Sequence, residues 1–524
     1  MALGTAEVTA WVQGARAGLG DARGRIDAVN VFPVPDADTG TNAWLTIEGG
    51  VRAVDALDAP GDVPVADVLT ALARGAMVAA RGNSGVILSQ WLAGFAHGAT
   101  GAGGVGTADG VAPGRVDARG IALALGSAAR AARLALADPQ EGTVLTLADE
   151  VAQAAADAAD AGGDGTAVAA QAAAAGHQAL ARISASHPVL RRAHVPDAGA
   201  CALLVVIDAL ALAAAGATRA PVTDWLPDRH PAPGHAQACD EATAGAAQGG
   251  AFEVMLVVRD TAPGPAVGDR LRAALAAVGD SVAVVGADGW WHAHVHTDDP
   301  QVAIDACAVG RREQVVVRRL DVLEAPQDAG ADDWGLVVVT RSAGLAAWFA
   351  TAGAVVVVRC PEEPVTAAHV RRAVEDAAAP HVLVVPGDAI TPDELATVQD
   401  DPGVEVLGAD DEARAAVAVL AFVTAGGAPG VHAAALAAGR ARVAAIDVAG
   451  GPGRGVGARA ADVEHAVASL VASPAPRGES LTVVVPGTAD DAVVAEVERC
   501  AARHGLEPTV LGGSAGRAVL VAVD

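Results

Sequence analysis

The sequence predicts a multidomain protein with three regions of different fold class. Across residues 1–216, apolar residues recur every three or four positions, which predicts an all-α domain. Residues 250–323 combine strand-like runs with two short helical segments, which predicts a small α+β domain. Residues 334–524 alternate β-branched runs with Ala-rich segments, which predicts an α/β domain with a largely parallel sheet.

The N-terminal region is predicted to be helical almost throughout. Periodic segments predict helices at 65–80, 84–97, 120–137, 144–160, 165–182 and 199–215. Small residues fill Gly98–Gly120, which predicts a loop between helices. Pro, Gly, His and Ala collect in Pro227–Gly250, which predicts the linker to the next domain.

The middle region has a predicted order of β-α-β-β-α-β, which is typical of a ferredoxin-like unit. Its predicted strands and helices are 252–258, 267–278, 281–285, 291–296, 300–309 and 315–320. A second linker is predicted at 325–333. The C-terminal strand-like runs are 335–339, 354–358, 381–385, 404–407, 443–448, 481–485 and 519–523.

Composition argues against several classes of partner. The net charge is −27 and the sequence shows no basic stripe, so nucleic acid and anionic membrane surfaces are not expected to bind. The longest apolar run, Cys201–Gly216, contains Asp208 and is too short to span a bilayer. The N-terminus lacks a signal-peptide pattern and the five cysteines are scattered, which predicts a cytoplasmic protein without a disulfide framework.

Asparagine is rare in this chain, and its positions direct attention to two motifs. The three asparagines are Asn30, Asn42 and Asn83. Where a background has nearly removed this residue, the survivors are expected where an amide is chemically required. The chain also contains no lysine, which rules out a Walker-type phosphate loop.

The first motif runs from Asn30 to Asn42 and contains Asp36 and Asp38. Its two prolines favour an extended chain, on which the two carboxylates would point the same way. Such a pair of hard oxygen ligands suits Mg²⁺. From Thr39 the motif leads into a helix, whose free N–H groups favour a phosphate. The alternative is an Asp-rich turn in which Asp38 or Thr39 only caps the helix.

The second motif is Arg81-Gly-Asn-Ser-Gly85, at the start of an apolar helix. Its backbone amides and hydroxyl could contact a phosphate, although such a helix start is commonly only a cap. The third motif, Glu141–Thr146, and the fourth, Val195–Ala200, would each by itself be interpreted as a turn with a helix cap.

Together the four motifs resemble the L-type kinase subunit of dihydroxyacetone kinases and, more closely, the kinase component of bacterial fatty acid kinase, a DAK2 domain protein. That family carries N-V-F-P-V-P-D-G-D-T-G-T-N, A-R-G-N-S-G-V-I-L-S-Q, E-G-T-x-L-T and D-A-G in this order. One departure lies inside the first motif, where Ala37 replaces the family's glycine. If position 37 needs a positive φ, alanine costs about 1 kcal/mol there.

The resemblance implies an N-terminal barrel of eight helices with ATP and Mg²⁺ at one end. Asp36 and Asp38 would be the catalytic Mg²⁺ ligands, with Asn30 or its neighbourhood in place of a third aspartate of the dihydroxyacetone subunit. The implied nucleotide-binding residues are Thr39, Gly40, Asn42, Asn83, Ser84, Gly85, Asp197 and Gly199. Asp197 and Gly199 would lie near the nucleoside, and the others near the phosphates.

The implied acceptor is a fatty acid carboxylate carried by a separate fatty-acid-binding protein, giving an acyl phosphate. Two alternatives stay open: a nucleotide-binding regulator without kinase activity, and a kinase of dihydroxyacetone type. The family's polar stretches in the C-terminal domain are lost here, for example at Val358–Thr366, so a different partner is an open option. The oligomeric state, including a homodimer, is also open.

The middle region matches the family's H-V-H-T-x-x-P stretch with His294 and His296. Alternate histidines on a strand share one face, which is compatible with Zn²⁺. Relatives that carry Cys-Thr-Glu on the preceding strand have a thiolate to complete such a site, whereas this chain reads Ala251-Phe-Glu253. Ordinary hydrogen-bonded strand histidines are therefore the favoured interpretation.

Overall fold

The computed structural model describes residues 2–32, 37–57, 63–101, 114–136, 139–227, 250–260, 266–287, 289–320, 333–447, 456–472, 478–487, 491–516 and 518–524. The chain divides into two compact units. The first comprises Met1–Gly249, Pro263–Ala273 and Asp280–His294, and the second comprises Gly250–Ala262, Ala274–Gly279 and Val295–Asp524. The three domain ranges expected from the sequence stay a prediction.

The N-terminal part of the first unit is helical, as predicted. Its described helices are α1 (Thr5–Ala28), α2 (Thr39–Asp55), α3 (Val65–Ala79), α4 (Gly82–Thr100), α5 (Ala118–Leu134), α6 (Val144–Asp160), α7 (Gly165–Ser186), α8 (Pro188–Ala193) and α9 (Ala198–Ala214). All six helices predicted from periodicity are present within a few residues of their predicted bounds. Most of the predicted loop 98–120 and nearly all of the linker 227–250 lie outside the described residues.

Helix α9 lies at the centre of this unit, because its sequence is apolar on nearly every face. Around it, one large core collects side chains from the surrounding helices. Trp11 of α1 packs near Trp91 and Phe95 of α4, and its indole N–H donates to the carbonyl of Val206 at 2.9 Å. The few aromatic residues of the chain are thus concentrated where bulk is needed between Ala-rich helices.

The first unit also includes helix α10 (Ala266–Ala276) in part, strand β2 (Asp280–Ala287) and most of β3 (Trp290–Thr297). Ala283 and Val285 of β2 pack with Ala80 and Val86, which flank the second motif. The guanidinium of Arg74 lies 5.5 Å from the ring centroid of Trp290. Strand β2 therefore supports the chain on both sides of the Gly-Asn-Ser-Gly segment.

In the second unit, one sheet contains β1 (Phe252–Arg259), β4 (Arg311–Arg319), β6 (Val355–Val358), β5 (Trp334–Thr340), β7 (His381–Val385) and β8 (Val404–Val406), in that spatial order. Strands β5 to β8 are parallel, as predicted. Strand β4 is antiparallel to both β1 and β6. Its described helices up to residue 440 are α11 (Pro300–Ala306), α12 (Ala343–Thr351), α13 (Ala367–Asp376), α14 (Pro392–Gln399), α15 (Glu412–Ala425) and α16 (Gly427–Arg440).

The last third of the chain differs from its prediction. Four strands form a second sheet in the order β11 (Glu507–Ser514), β10 (Ser480–Pro486), β12 (Ala518–Val523) and β9 (Arg442–Asp447), with α17 (Val456–Val471) and α18 (Asp491–His504) nearby. Only β10 and β11 pair in parallel. The expectation of a largely parallel sheet is wrong here. Strand β11 escapes prediction because its sequence contains Pro508, Gly512 and Gly513, which are unfavourable in strands.

The order of elements from β1 to β4 is β-α-β-β-α-β, as the sequence predicts. Assignment of this stretch to the ferredoxin-like class, and of the helical domain to an eight-helix barrel, stays a prediction. Among the helices with described positions, none is both long enough and apolar enough to cross a membrane.

Candidate active site

The first motif leads into α2, and a carboxylate from another helix organises its first turn. Asp38 occupies the N-cap position, but its side chain makes no capping hydrogen bond. Instead, Asp27 near the end of α1 accepts hydrogen bonds from the amides of Gly40 at 2.6 Å and Thr41 at 3.1 Å, and from the Thr41 hydroxyl at 2.8 Å. The alternative in which Asp38 merely caps α2 is therefore wrong, because Asp27 performs that role.

Asp27 is an acid in an unfavourable environment. Burial raises its pKa to about 6, the hydrogen bonds from Thr41 and Gly40 oppose that rise, and the negative charge of Asp38 adds to it. Two carboxylates thus repel each other at the start of α2. A divalent cation held by Asp38 would relieve that repulsion, so the local charge fits the Mg²⁺ expected here.

Position 37 does require the left-handed region, because Ala37 has a φ of 51°. The family's glycine adopts this conformation without a steric penalty, whereas alanine brings its Cβ close to the following carbonyl. Asp38 follows with a φ of −122° and a ψ of 0°. The strained turn directly precedes the acid that is expected to bind metal.

The second motif meets the first one at the start of α4. The hydroxyls of Ser84 and Thr39 lie 3.1 Å apart and share a hydrogen bond. Gly85 lies so close to α2 that a Cβ would come within 2.7 Å of the Thr46 hydroxyl. The Oδ1 atom of Asn83 is buried and has no hydrogen-bond partner among the described residues. An unpaired buried amide oxygen is costly, so it fits a site that gains a polar ligand.

The third and fourth motifs meet each other at the start of α9. Asp197 accepts a hydrogen bond from the amide of Ala200 at 2.7 Å, and the amide of Val144 also donates to it. Burial raises the pKa of Asp197 to about 6. This carboxylate is thus a helix cap that also anchors α6, and its expected contact with a nucleoside stays a prediction. A Cβ at Gly199 would lie 3.2 Å from Cβ of Val144, so the two motifs approach closely.

One pocket connects all four motifs. It encloses about 420 Å³ and is lined by Ala43, Ser84, Ile87, Leu88, Trp91, Ala132, Val144, Ala148, Gly199, Ala202 and Leu203. Ser84 is its only hydroxyl-bearing side chain, and the other lining residues are apolar or glycine. Segments separated by more than 100 residues in the sequence thus converge on one small cavity, which the motif order alone did not show.

The predicted residues fall into three groups. Thr39, Gly40 and Asn42 form the buried first turn of α2, and Ser84 and Gly85 lie beside it. Asn30 is buried at the end of α1, and its amide donates to the Asp27 carbonyl at 3.1 Å. Asp36 lies outside the described residues.

Sequence reasoning missed Asp27 as a site residue. It looked for a third acid at Asn30 or in its neighbourhood, and Asp27 lies three positions earlier. The available signal was an acidic residue at the end of an otherwise apolar helix face, directly before the first motif. Its partners, Gly40 and Thr41, are brought to it by the turn between α1 and α2.

In the middle region, His294 and His296 lie on β3 and are buried. Glu253 of β1 offers a carboxylate oxygen within 4.8 Å of a His296 ring nitrogen. The guanidinium of Arg318 donates to the same carboxylate. Glu253 thus stands beside His296, where the sequence showed only a missing cysteine, and Zn²⁺ binding by His294 and His296 stays a prediction.

Comparison with known protein families agrees with this arrangement of motifs. Residues 33–212 match the DAK2 domain, and residues 250–322 match the FakA-like middle domain of fatty acid kinases. The first match contains the described residues that meet around the pocket, except for Asp27, which precedes it.

Individual relatives are similar over different lengths. Protein YloV of Bacillus subtilis (strain 168) is 27% identical over 417 residues, which cover 76% of this chain and 72% of YloV. An uncharacterized protein of Staphylococcus saprophyticus is 42% identical over 84 residues, covering 16% of this chain and 14% of that protein. A protein of Staphylococcus aureus (strain USA300) is 40% identical over 84 residues, covering 16% and 15% respectively.

Proposed function

Because the chain contains a DAK2 domain followed by a middle domain of the fatty acid kinase type, we propose that it is an ATP- and Mg²⁺-dependent kinase. The observation that supports this proposal best is the convergence of all four motifs on one pocket, with the Thr39 and Ser84 hydroxyls 3.1 Å apart at the start of two helices. Free N–H groups at helix starts favour bound phosphate.

Each part of the site has a distinct proposed role. Asp38, together with Asp36, holds the metal ion, while Asp27 fixes the first turn of α2 and so positions Thr39 and Asn42 toward phosphate oxygens. Bound Mg²⁺ supplies neutralisation of the charge that spreads over the phosphoryl group in a loose transition state. The apolar wall of the pocket suits a purine base, with Gly199 allowing close approach.

We propose a fatty acid carboxylate, presented by a separate fatty-acid-binding protein, as the acceptor. A bond forms between a carboxylate oxygen and the transferred phosphorus, and the bond from that phosphorus to the leaving diphosphate oxygen breaks. A carboxylate is already ionised near neutral pH, so the site needs no general base. Positioning and charge neutralisation by the chain's own residues are sufficient for such a step.

The central test is Asp38→Asn in the full chain. We expect loss of Mg²⁺-dependent ATP binding in calorimetry and at least a hundredfold loss of acyl phosphate formation, trapped with hydroxylamine in the presence of candidate fatty-acid-binding proteins. Asp21→Asn is the matched control, because Asp21 is exposed on α1 and should leave both readouts unchanged. Unchanged ATP binding in Asp38→Asn would contradict the metal assignment.

The same assay separates the alternatives. Metal-dependent ATP binding without ATP consumption across the acyl carriers would favour a nucleotide-binding regulator. Turnover with dihydroxyacetone and its sugar-binding partner, but not with fatty acid, would favour the polyol kinase.

A further inference from the structure

The second unit contains a group of side chains that the proposed kinase site does not use. Glu464 of α17 and Cys500 and His504 of α18 offer a carboxylate oxygen, a sulfur and an imidazole nitrogen, all within 4.8 Å of one another. Cys500 and His504 are four residues apart, so they lie on the same face of α18. We propose that these three residues form a zinc site that joins α17 to α18.

One observation distinguishes this group from an ordinary polar cluster. The Nε2 atom of His504 is buried and has no hydrogen-bond partner among the described residues. Its nearest acidic neighbour, Oε1 of Glu464, lies 3.6 Å away, which is too far for a hydrogen bond. Around a tetrahedral zinc with its usual bond lengths, neighbouring ligand atoms lie about 3.3–3.6 Å apart. The two atoms therefore have the spacing of ligands around an ion.

The other oxygen of Glu464 is already held in place. Arg503 contacts Oε2 of Glu464 at 2.5 Å and Oε1 of Glu496 at 3.4 Å. A carboxylate ligand is usually oriented by such an outer hydrogen bond, which leaves Oε1 directed to the ion. With Cys500 as thiolate, the two negative ligands balance Zn²⁺, and Glu496 balances the charge of Arg503.

Cys500 makes the site selective for a thiophilic metal. Its sulfur is fully buried beside the core of the second sheet, whereas the Glu464 and His504 side chains are 33% and 23% exposed and leave a route for an ion. Without metal, burial and the hydrogen bond to Glu464 raise the pKa of Cys500 to about 12. Binding therefore forms a zinc–sulfur bond and releases the thiol proton to solvent. Three protein ligands leave the fourth tetrahedral position to water.

Cobalt(II) tests this site in the full chain, because a thiolate ligand gives a sulfur-to-cobalt charge-transfer band. His294 and His296 cannot produce that band. In a Cys239→Ser background, we expect one equivalent of cobalt to give the band, zinc to displace it, and Cys500→Ser to abolish it. Cys307→Ser is the matched control, since Cys307 is equally buried and belongs to neither metal group in the described chain.

Glu464→Gln is the second variant, because Glu464 is partly exposed and its loss should leave the fold intact. We expect it to weaken zinc affinity at least tenfold, measured by competition with a chromophoric chelator. Absence of the band in the parent protein, or its persistence in Cys500→Ser, overturns the proposal. Kinase activity plays no part in either readout, so failure of the proposed function leaves this test unaffected.

Discussion

At the scale of single residues, the departure from the family motif at Ala37 has a measurable consequence. Its φ of 51° places an alanine where glycine is favoured. We expect Ala37→Gly to raise the free energy of unfolding of the helical region by about 1 kcal/mol. Urea denaturation followed by circular dichroism measures it. Ala56→Gly is the control, since Ala56 has a φ of −79° and should lose stability instead. A loss of stability in Ala37→Gly would contradict the strain.

Asp197 gives a pH-dependent prediction. Its pKa rises from 3.8 to about 6 on folding, so the fold favours the protonated form. The resulting stabilisation is complete below pH 3.8 and is lost as the pH rises through 6. The shift corresponds to about 3 kcal/mol. Asp197→Asn keeps a capping oxygen for Ala200 but cannot titrate.

The measurement for Asp197 is a comparison of the two proteins by urea denaturation at about pH 4.5 and about pH 7, on either side of the raised pKa. The free energy of unfolding of the parent should fall relative to that of Asp197→Asn between these values. A constant difference would show that this carboxyl has an ordinary pKa in the folded protein.

At the scale of elements, the close approach of α1 and α2 determines the geometry of the first motif. A Cβ on Gly40 would lie 2.3 Å from the carbonyl oxygen of Arg23 and 2.9 Å from Cβ of Ile26. We expect Gly40→Ala to destabilise the helical region by about 2–3 kcal/mol and to weaken ATP binding, because α1 must move away from α2. Thermal unfolding and calorimetry measure the two effects.

Gly24→Ala is the matched control for Gly40→Ala. Gly24 lies on the exposed face of α1, and nothing within 4 Å would meet its Cβ. Alanine at this helical position should stabilise by up to about 1 kcal/mol. Equal effects of the two substitutions would show that the contact with Arg23 is not limiting.

At the scale of the whole molecule, the proposed ligand should affect only part of the chain. We expect ATP with Mg²⁺ to slow amide hydrogen exchange in 39–55, 82–100 and 144–160, while the strands of 334–406 stay unchanged. The reason is that ligand binding stabilises only the structure that forms its site, by about 2.7 kcal/mol at a hundredfold excess over Kd. Uniform protection across both ranges would contradict a site confined to the helical region.

The sequence by itself determined where the helices lie and which short motifs carry chemistry. Apolar periodicity is a local property, and Asp38, Thr39 and Ser84 are recognisable from their immediate neighbours. It also predicted the parallel strands β5 to β8, whose β-branched runs form a strong local signal.

Only the tertiary structure decided how these segments meet. Asp27 reaches the amides of Gly40 and Thr41 through a turn, and Cys500 and His504 meet Glu464 across two helices. Such contacts depend on the directions of whole elements and on the packing of side chains between them. Burial and charge at a site likewise arise from every neighbouring element, which is why the raised pKa of Asp27 and Asp197 could not be derived from local sequence.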